Sequence, residues 1–575
     1  MMTFDPISLE IMWSRLINIT EECWITILRT AFSTIIGEAQ DFGCELLDAN
    51  ANSIAHSPRS MPVFNLTLPR AVRAIFQAFP RELVVEGDVL ITNDPWTCAG
   101  HLFDIAVVTP VFRRGVLVGL VGSIAHVSDI GGTKDSARTR EVYEEGLQIP
   151  PLRLYRAGAL NEDLAAIVHA NVRRPDMVWG DIQAQVSANQ VGAQRLLAFM
   201  DEYGLDTLEP LAHEVQHRAE VAMREAIRAL PDGVYHGESQ IDGVEEPLTL
   251  PCTVIVRGDR LTVDWTGVPP EAPTGGVNCT YGYTAAHTTY TLKCVLTPEI
   301  PSNAGCFRPF EVIVPEGTLL NCRHPATVNW RTLTGWYIAP AILRALAPLL
   351  PDRVQAFTGL PMTCSAYGVG VDGRRYNDHI MFGGGQGGSA SGDGKSSVLF
   401  PTSAANVPVE MFEQRVPILV ECKELMPDSA GAGKSRGGLG QRMTVRRLDE
   451  RGGAAYLAIH PHGVRVIIPG LLGGQPGGRA RLAATGVPVS SPGRSTSAFV
   501  ELRRTDQRIL LEAAGGSGYG DPRERPLELL QRDVDEGYVT AEGLAVYGAE
   551  ATRQGKVTRQ SIAPGVAAEP VLPDG

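Results

Sequence analysis

No two of the ten cysteines are spaced as a CxxC pair. Their scatter excludes a zinc knuckle and argues against a disulfide framework, so they read as reduced thiols packed as small hydrophobes. No stretch approaches the ~20 consecutive apolar residues of a membrane span. The first residues, Met1 to Arg15, carry Asp5 and Glu10 and lack a basic start and an unbroken apolar core, which does not match a secretory signal. Clustered Lys and Arg are missing too. With 51 basic residues against 64 acidic ones and a formal charge of -13, the chain offers no patch for nucleic-acid phosphates. The expected compartment is the cytoplasm, with neither membrane nor nucleic acid as a partner.

The 575 residues, 44% of them hydrophobic and 20% charged, exceed what one hydrophobic core organises. The expected fold is a mixed α/β (α+β), multidomain one. Apolar positions from Pro6 to about Ile36 recur at helical spacing. Phe42 to Leu47, Val84 to Thr92 and Asp104 to Val121 are short, β-branched and bounded by turn residues, which reads as strands. Met177 to Leu230 returns to a helical pattern and closes at Pro231-Asp232-Gly233. Val254 to Trp265 alternates as strands do, and a Gly/Ser-rich segment runs from Gly383 to Gly394. These shifts divide the chain into an N-terminal domain (1–231), a strand-rich middle domain (232–400), a mixed C-terminal domain (401–561) and a frayed tail (562–575).

One constellation carries chemistry. His101 and Asp104 stand three residues apart at the mouth of the apolar run Ile105 to Val108. After Val116 to Val121 the chain presents His126 and Asp129, a second His-x-x-Asp at the next strand end. Two imidazoles with carboxylates suit a divalent ion such as Mn, Zn or Fe. Asp41, just before a strand, is placed to complete the set, although spacing does not select it. Each His equally suits a strand cap or a satisfied buried polar group.

These residues, with Glu145-Gly146-Leu147, Asn171-Val172-Arg173, Asp181 to Gln185, Ile300 to Gly305, Asn406 to Glu410, Asp428 to Gly440 and Gly515 to Pro522, resemble the hydantoinase B / oxoprolinase family. That family includes subunits of N-methylhydantoinase, 5-oxoprolinase, caprolactamase and the acetone and acetophenone carboxylases. The resemblance implies that His101, Asp104 and His126 ligate a metal, that Asp41 is a fourth ligand, and that Asp129 is either a ligand or a group behind one. It further implies half of a hetero-oligomeric enzyme. A hydantoinase A-type partner binds ATP and phosphorylates the amide oxygen of a small cyclic substrate, and the metal-bearing chain acts on the activated ring, with His126 and Asp129 in catalytic roles. The alternatives are a subunit of an ATP-dependent ketone carboxylase and a scaffold whose metal only stabilises the fold.

Other motifs are decoys. His213-Glu214-Val215-Gln216-His217 fits the zincin pattern but sits in a polar helical stretch with no third ligand at the usual spacing, so a solvated helix face is expected. Gly433-Lys434-Ser435 and Gly394-Lys395-Ser396 lack the leading glycine of a phosphate loop. Gly515 to Gly520 reads as a tight turn, and Gly383 to Gly388 as a flexible loop or a close approach to substrate. Asn278, Asn303 and Trp330, in turns, remain without an assigned role.

Overall fold

Asp5 and Pro6 begin the first helix, α1 (Pro6–Thr30). The Asp5 carboxylate accepts the N–H groups of Ile7 and Ser8 at 3.1 Å, and Pro6 fills a position whose N–H has no intrahelical partner. The computed structural model describes residues 4–487 and 498–560, so the tail expected at 562–575 lies outside the described residues. Among them, no helix is long and apolar enough to cross a membrane.

The strands expected after residue 42 form one antiparallel seven-stranded sheet in the order β2-β1-β5-β4-β3-β6-β7. Its members are β1 (Phe42–Asp48), β2 (Ser53–His56), β3 (Val89–Thr92), β4 (Asp104–Arg113), β5 (Val116–His126), β6 (Leu152–Arg156) and β7 (Ala159–Leu160). Helix α2 (Pro62–Ala78) joins β2 to β3, and the pattern expected over 177–230 resolves into α3 (Pro175–Glu202) and α4 (Glu209–Arg228). The break falls at Gly204, which takes the left-handed conformation (φ 62°) open to glycine.

Successive strand residues face opposite sides, and β5 shows which helix covers which. A Cβ on Gly122 would lie 2.8 Å from Leu68 of α2. Its neighbour Val121 instead meets α3, where a Cβ on Gly192 would lie 2.9 Å from Val121 and 2.4 Å from Cys23 of α1. The even-numbered face, which includes His126, is therefore the α2 side.

A second sheet, β11-β10-β9-β8, combines β8 (Gly233–Ile241), β9 (Leu248–Arg257), β10 (Arg260–Asp264) and β11 (Phe310–Ile313). Helix α5 (Tyr281–Leu296) packs against α2, and α6 (Ile338–Leu346) packs on β8 and β9. A third sheet contains β12 (Met362–Val369) and β13 (Arg375–Phe382), together with the strands Ala455–His460 and Ala498–Leu502. Strands on either side of residue 400 thus share one sheet, so a division there would cut through it. One continuous apolar cluster runs from Leu9 to Tyr519.

The Gly/Ser-rich segment is neither a flexible loop nor a linker. Gly383, Gly384, Gly385, Gly387 and Gly388 are buried, as are Gly515, Gly516 and Gly518. Stretches around 383–388, 431–440, 470–478 and 514–520 run beside one another outside any helix or strand and bond backbone to backbone. Gly385 N–H donates to Ala514 O at 3.0 Å, Gly438 N–H to Gln386 O at 2.7 Å, and Gly516 N–H to Gly438 O at 3.0 Å. Glycine is required because the chains touch: a Cβ on Gly385 would lie 1.8 Å from Gly438 O. The turn expected at Gly515 to Gly520 is one member of this bundle. Both Gly-Lys-Ser sequences lie in or beside it, with no helix following to form a phosphate loop.

Candidate metal centre

Strand register builds the site. In β4 and β5 Asp104 stands directly opposite His126, and in β5 and β1 Ala125 stands opposite Phe42, which brings Asp41 alongside His126. The His126 N–H donates to Asp41 O at 3.0 Å. Asp41, His126 and Asp104 therefore form a row across the ends of three adjacent strands, and His101 joins them from the loop leading into β4.

The donor atoms of His101, Asp104 and His126 all lie within 4.8 Å of one another. His101 Nε2 and Asp104 Oδ1 are 2.9 Å apart, yet neither makes an aligned hydrogen bond, and His126 Nδ1 has no partner. Buried polar atoms are ordinarily satisfied. Donors each about 2.1 Å from a shared ion stand about 3 Å apart, so these orphaned atoms fit a divalent cation. Asp41 lines the same cavity but is outside the three-residue cluster.

Burial, then Arg331, pushes the His101 imidazole below its ordinary value, against the pull of Asp104. Burial and His101 push His126 well below its own. Both shifts favour the neutral ring, the form that ligates metals. Burial resists ionisation of Asp104, but His101 and Arg331 prevail and hold it below the usual carboxylate value. Asp41 is pushed up to about 8 by burial and by Asp104, with Arg331 acting the other way. A cation beside it supplies the opposite field.

Arg331 was not legible in the sequence. Its Nη2 donates to Asp104 Oδ2 at 2.6 Å and its Nε to Ala99 O at 2.8 Å, while its guanidinium lies 4.4 Å over the Tyr283 ring. One carboxylate oxygen of Asp104 is thereby tied down and the other left toward the centre. The neighbouring Asn329 O lies 3.3 Å from His101 Nδ1, orienting that ring. The only signal nearby was Trp330, singled out without a role; it lines the cavity, its ring edge-on to His460 at 3.9 Å.

Asp129 is placed differently from expectation. Its carboxylate takes the Arg173 backbone N–H, pairs with Arg173 Nη1 at 2.8 Å and with Lys134 Nζ at 3.1 Å, and makes no hydrogen bond to His126. It is fully buried and does not line the cavity, whereas Lys134 does. Burial raises Asp129, but the two cations outweigh it and keep the carboxyl ionised. It is a carboxylate held by two cations, one of which faces the site.

The cavity above the centre has a volume of about 150 Å³. A cavity of that size accommodates a single small ring such as benzene. Its walls carry two more histidines, His379 and His460, both driven down by burial, His379 to about 4. His379 Nε2 and His460 Nδ1 have no partner.

Glu145 braces the segment behind the site. Its Oε1 accepts from the Thr327 hydroxyl and from Val328 and Asn329 N–H at 2.8 and 2.9 Å. Burial lifts its pKa from 4.5 to about 7, the hydrogen bonds opposing. A raised pKa gives stability that is complete below pH 4.5 and lost as pH rises through about 7, worth at most about 3 kcal/mol. Denaturation midpoints measured from pH 5 to 8 should fall less steeply for Glu145→Gln, which keeps an accepting oxygen, than for the wild type, the remaining slope belonging to groups such as Asp41.

The remaining motifs are structural. His213 and His217 are exposed on α4, rings 6.2 Å apart, as expected of a solvated face. Asn278 binds Ala272 N–H and O and Thr327 O, and Asn303 caps Gly305 and donates to Val215 O.

A buried His-Asp-His donor set at the end of an antiparallel sheet, under a ring-sized cavity, defines a candidate metalloprotein of mixed α/β fold. The chain belongs to the Hydantoinase B/oxoprolinase family, which it matches over residues 5–522. It is 30% identical to a Pseudomonas sp. (strain NS671) protein named as a subunit of a D-/L-hydantoinase, over 95% of both chains. The crystal structure of ATP-dependent caprolactamase from Pseudomonas jessenii superposes with a TM-score of 0.85 at 27% identity, covering 96% of this chain and 98% of the other. An acetone carboxylase structure shares the fold with a TM-score of 0.80 at 18% identity, covering 97% of this chain and 81% of that one.

Proposed function

We propose that this chain is the metal-binding subunit of a two-subunit, ATP-dependent cyclic-amide hydrolase. The observation that carries the reading is the convergence of donor atoms from His101, Asp104 and His126, all within 4.8 Å of one another, beneath a cavity of about 150 Å³. His101, Asp104 and His126 would hold the divalent ion, with Asp41 beside them. When bound, such an ion polarises a substrate oxygen and lowers the pKa of water.

The protein's own groups do the rest. An amide ring presents one N–H and one C=O, and neutral imidazoles such as His379 and His460 can donate or accept to either. Amide resonance resists water unless the carbonyl is strongly polarised or its oxygen is made a leaving group. Phosphorylation by an ATP-binding, hydantoinase A-type partner accomplishes the second and adds negative charge. Lys134, facing the cavity, is positioned to receive that charge. Its own pKa is lowered by burial, with Asp129 pulling the other way. Asp129 then acts as a positioning residue. Asp129→Asn should keep its metal content but lose about 10- to 100-fold in kcat, as loss of a supporting partner does; lost metal instead would mark Asp129 as a ligand.

The test of the reading is the co-expressed subunit pair assayed on hydantoins, 5-oxoproline and lactams with ATP and bicarbonate varied independently. Ring opening that consumes ATP and ignores bicarbonate is expected. Product formation that requires bicarbonate would make the chain a carboxylase subunit, and full turnover without its metal would make the site structural.

A further inference from the structure

A second cavity, about 750 Å³, lies between β1–β2, α2, α5 and the segment around residues 298–312, and it shares no lining residue with the metal centre. Helices α2 and α5 stand between the two: Val63 and Tyr283 face the metal side, and Leu66, Arg70 and Gly282 the other. The volume is that of a pocket for a small organic molecule. Much of its wall is apolar, with Ile17, Leu66, Ile300, Phe307 and Val312 on it.

One cation on these walls has no counterpart. Arg70 makes no ion pair and no hydrogen bond among the described residues; its Nε is buried without a partner, whereas its two Nη atoms are not sealed off. The outer edge of the guanidinium is therefore free to bind. The other cations of the cavity are engaged: Arg73 donates to Ala51 O and Asn52 and faces Glu45, Lys293 donates to Thr297 O, and Arg308 pairs with Glu220.

The Arg70 guanidinium is also held in place. It lies 5.2 Å over the Tyr281 ring, and the Tyr281 hydroxyl donates to Val312 O at 3.2 Å, which fixes that ring. A Cβ at position 282 would stand 3.0 Å from Arg70 Nε, so the glycine there leaves the space that the side chain fills. Burial disfavours the Arg70 charge and Arg73 adds to that, with Tyr281 acting the other way. A cation drawn out of water without a partner is costly, and an anion against it offsets the cost.

We propose that this cavity binds a small monocarboxylate with an apolar body, its carboxylate on the Arg70 guanidinium and its chain along the apolar wall. A planar guanidinium meets a carboxylate through two parallel hydrogen bonds. One free cation matches one negative charge. A phosphate dianion would bring a second charge to a cavity whose remaining cations already have partners, and it has no apolar body to bury. The proposal stands independently of the cyclic-amide reading.

The experiment is calorimetric titration of the full chain with acetate, butanoate, hexanoate and octanoate, beside hexanamide, hexylamine and inorganic phosphate. Hexanoate should bind about tenfold more tightly than hexanamide, hexylamine or phosphate, each of which lacks either the negative charge or the apolar body. Affinity should rise along the acid series by up to about fourfold per methylene. Arg70→Gln should weaken hexanoate binding by about tenfold, Arg70→Lys should keep part of it, and His101→Ala should leave it unchanged. Circular dichroism of each variant guards against misfolding, and Arg70→Lys serves where Arg70→Gln does not fold. The proposal is overturned if hexanoate does not bind the wild type, if hexanamide, hexylamine or phosphate binds equally well, or if octanoate binds no tighter than acetate. It is overturned too if folded Arg70 variants bind normally, or if His101→Ala abolishes binding, which would assign the ligand to the metal cavity.

Discussion

Replacing His126 by alanine is expected, on the proposed function, to strip divalent metal from the purified subunit pair and to lower cyclic-amide turnover by on the order of 10³-fold, as several kcal/mol of charge stabilisation is lost. His126 sits at the middle of the row formed with Asp41 and Asp104, so its loss removes one of two nitrogen donors and leaves the others facing a void. His101→Ala should behave alike. Metal analysis and turnover are measured on the same preparations, with the partner at fixed ratio, and chelation of the wild type should reproduce the variant's loss. Retention of both metal and turnover in either variant would remove that residue from the donor set.

Gly385→Ala is expected to prevent stable folding, with a cost above about 4 kcal/mol, beyond ordinary overpacking. The added methyl would stand 1.8 Å from Gly438 O. That oxygen also accepts the Gly516 N–H at 3.0 Å, so a shift to admit the methyl would break the backbone ladder that holds three segments together. No flexible side chain can move aside. Gly373→Ala is the matched control, since nothing lies within 4 Å of a Cβ there, although its φ of 76° carries some strain of its own. Soluble yield and denaturation midpoint read the difference; an alanine at 385 that melts within a few degrees of the wild type would contradict the close packing.

The pair His101 and Asp104 was legible because it is local: three residues apart, ahead of an apolar strand, with a hairpin returning His126 to the same end. Arg331 was not, although it holds Asp104 at 2.6 Å, because 227 residues separate the two and a contact of that range leaves no periodic trace. Asp129 was over-read for a related reason. The repeated His-x-x-Asp spacing suggests two equal ligand pairs, but β5 ends at His126, and beyond it the chain carries Asp129 to Lys134 and Arg173. The glycine segments were misread as loop and turn because the same composition serves a flexible linker and backbones in contact, and only neighbours distinguish them. A boundary near 400 followed from that composition, while the sheet it would cut pairs strands almost a hundred residues apart.

What the sequence by itself determined is what local chemistry controls: the first helix, the β4–β5 hairpin, His101, Asp104 and His126 as candidates at one strand end, and a likeness to the hydantoinase B / oxoprolinase family. What only the tertiary structure decided is which groups meet across the chain. Arg331 and Asn329 hold Asp104 and His101, Lys134 faces the cavity in place of Asp129, and four glycine segments close on one another. The physical reason is that charge pairing and backbone contact depend on distance in space, and the fold creates those distances from residues hundreds of positions apart.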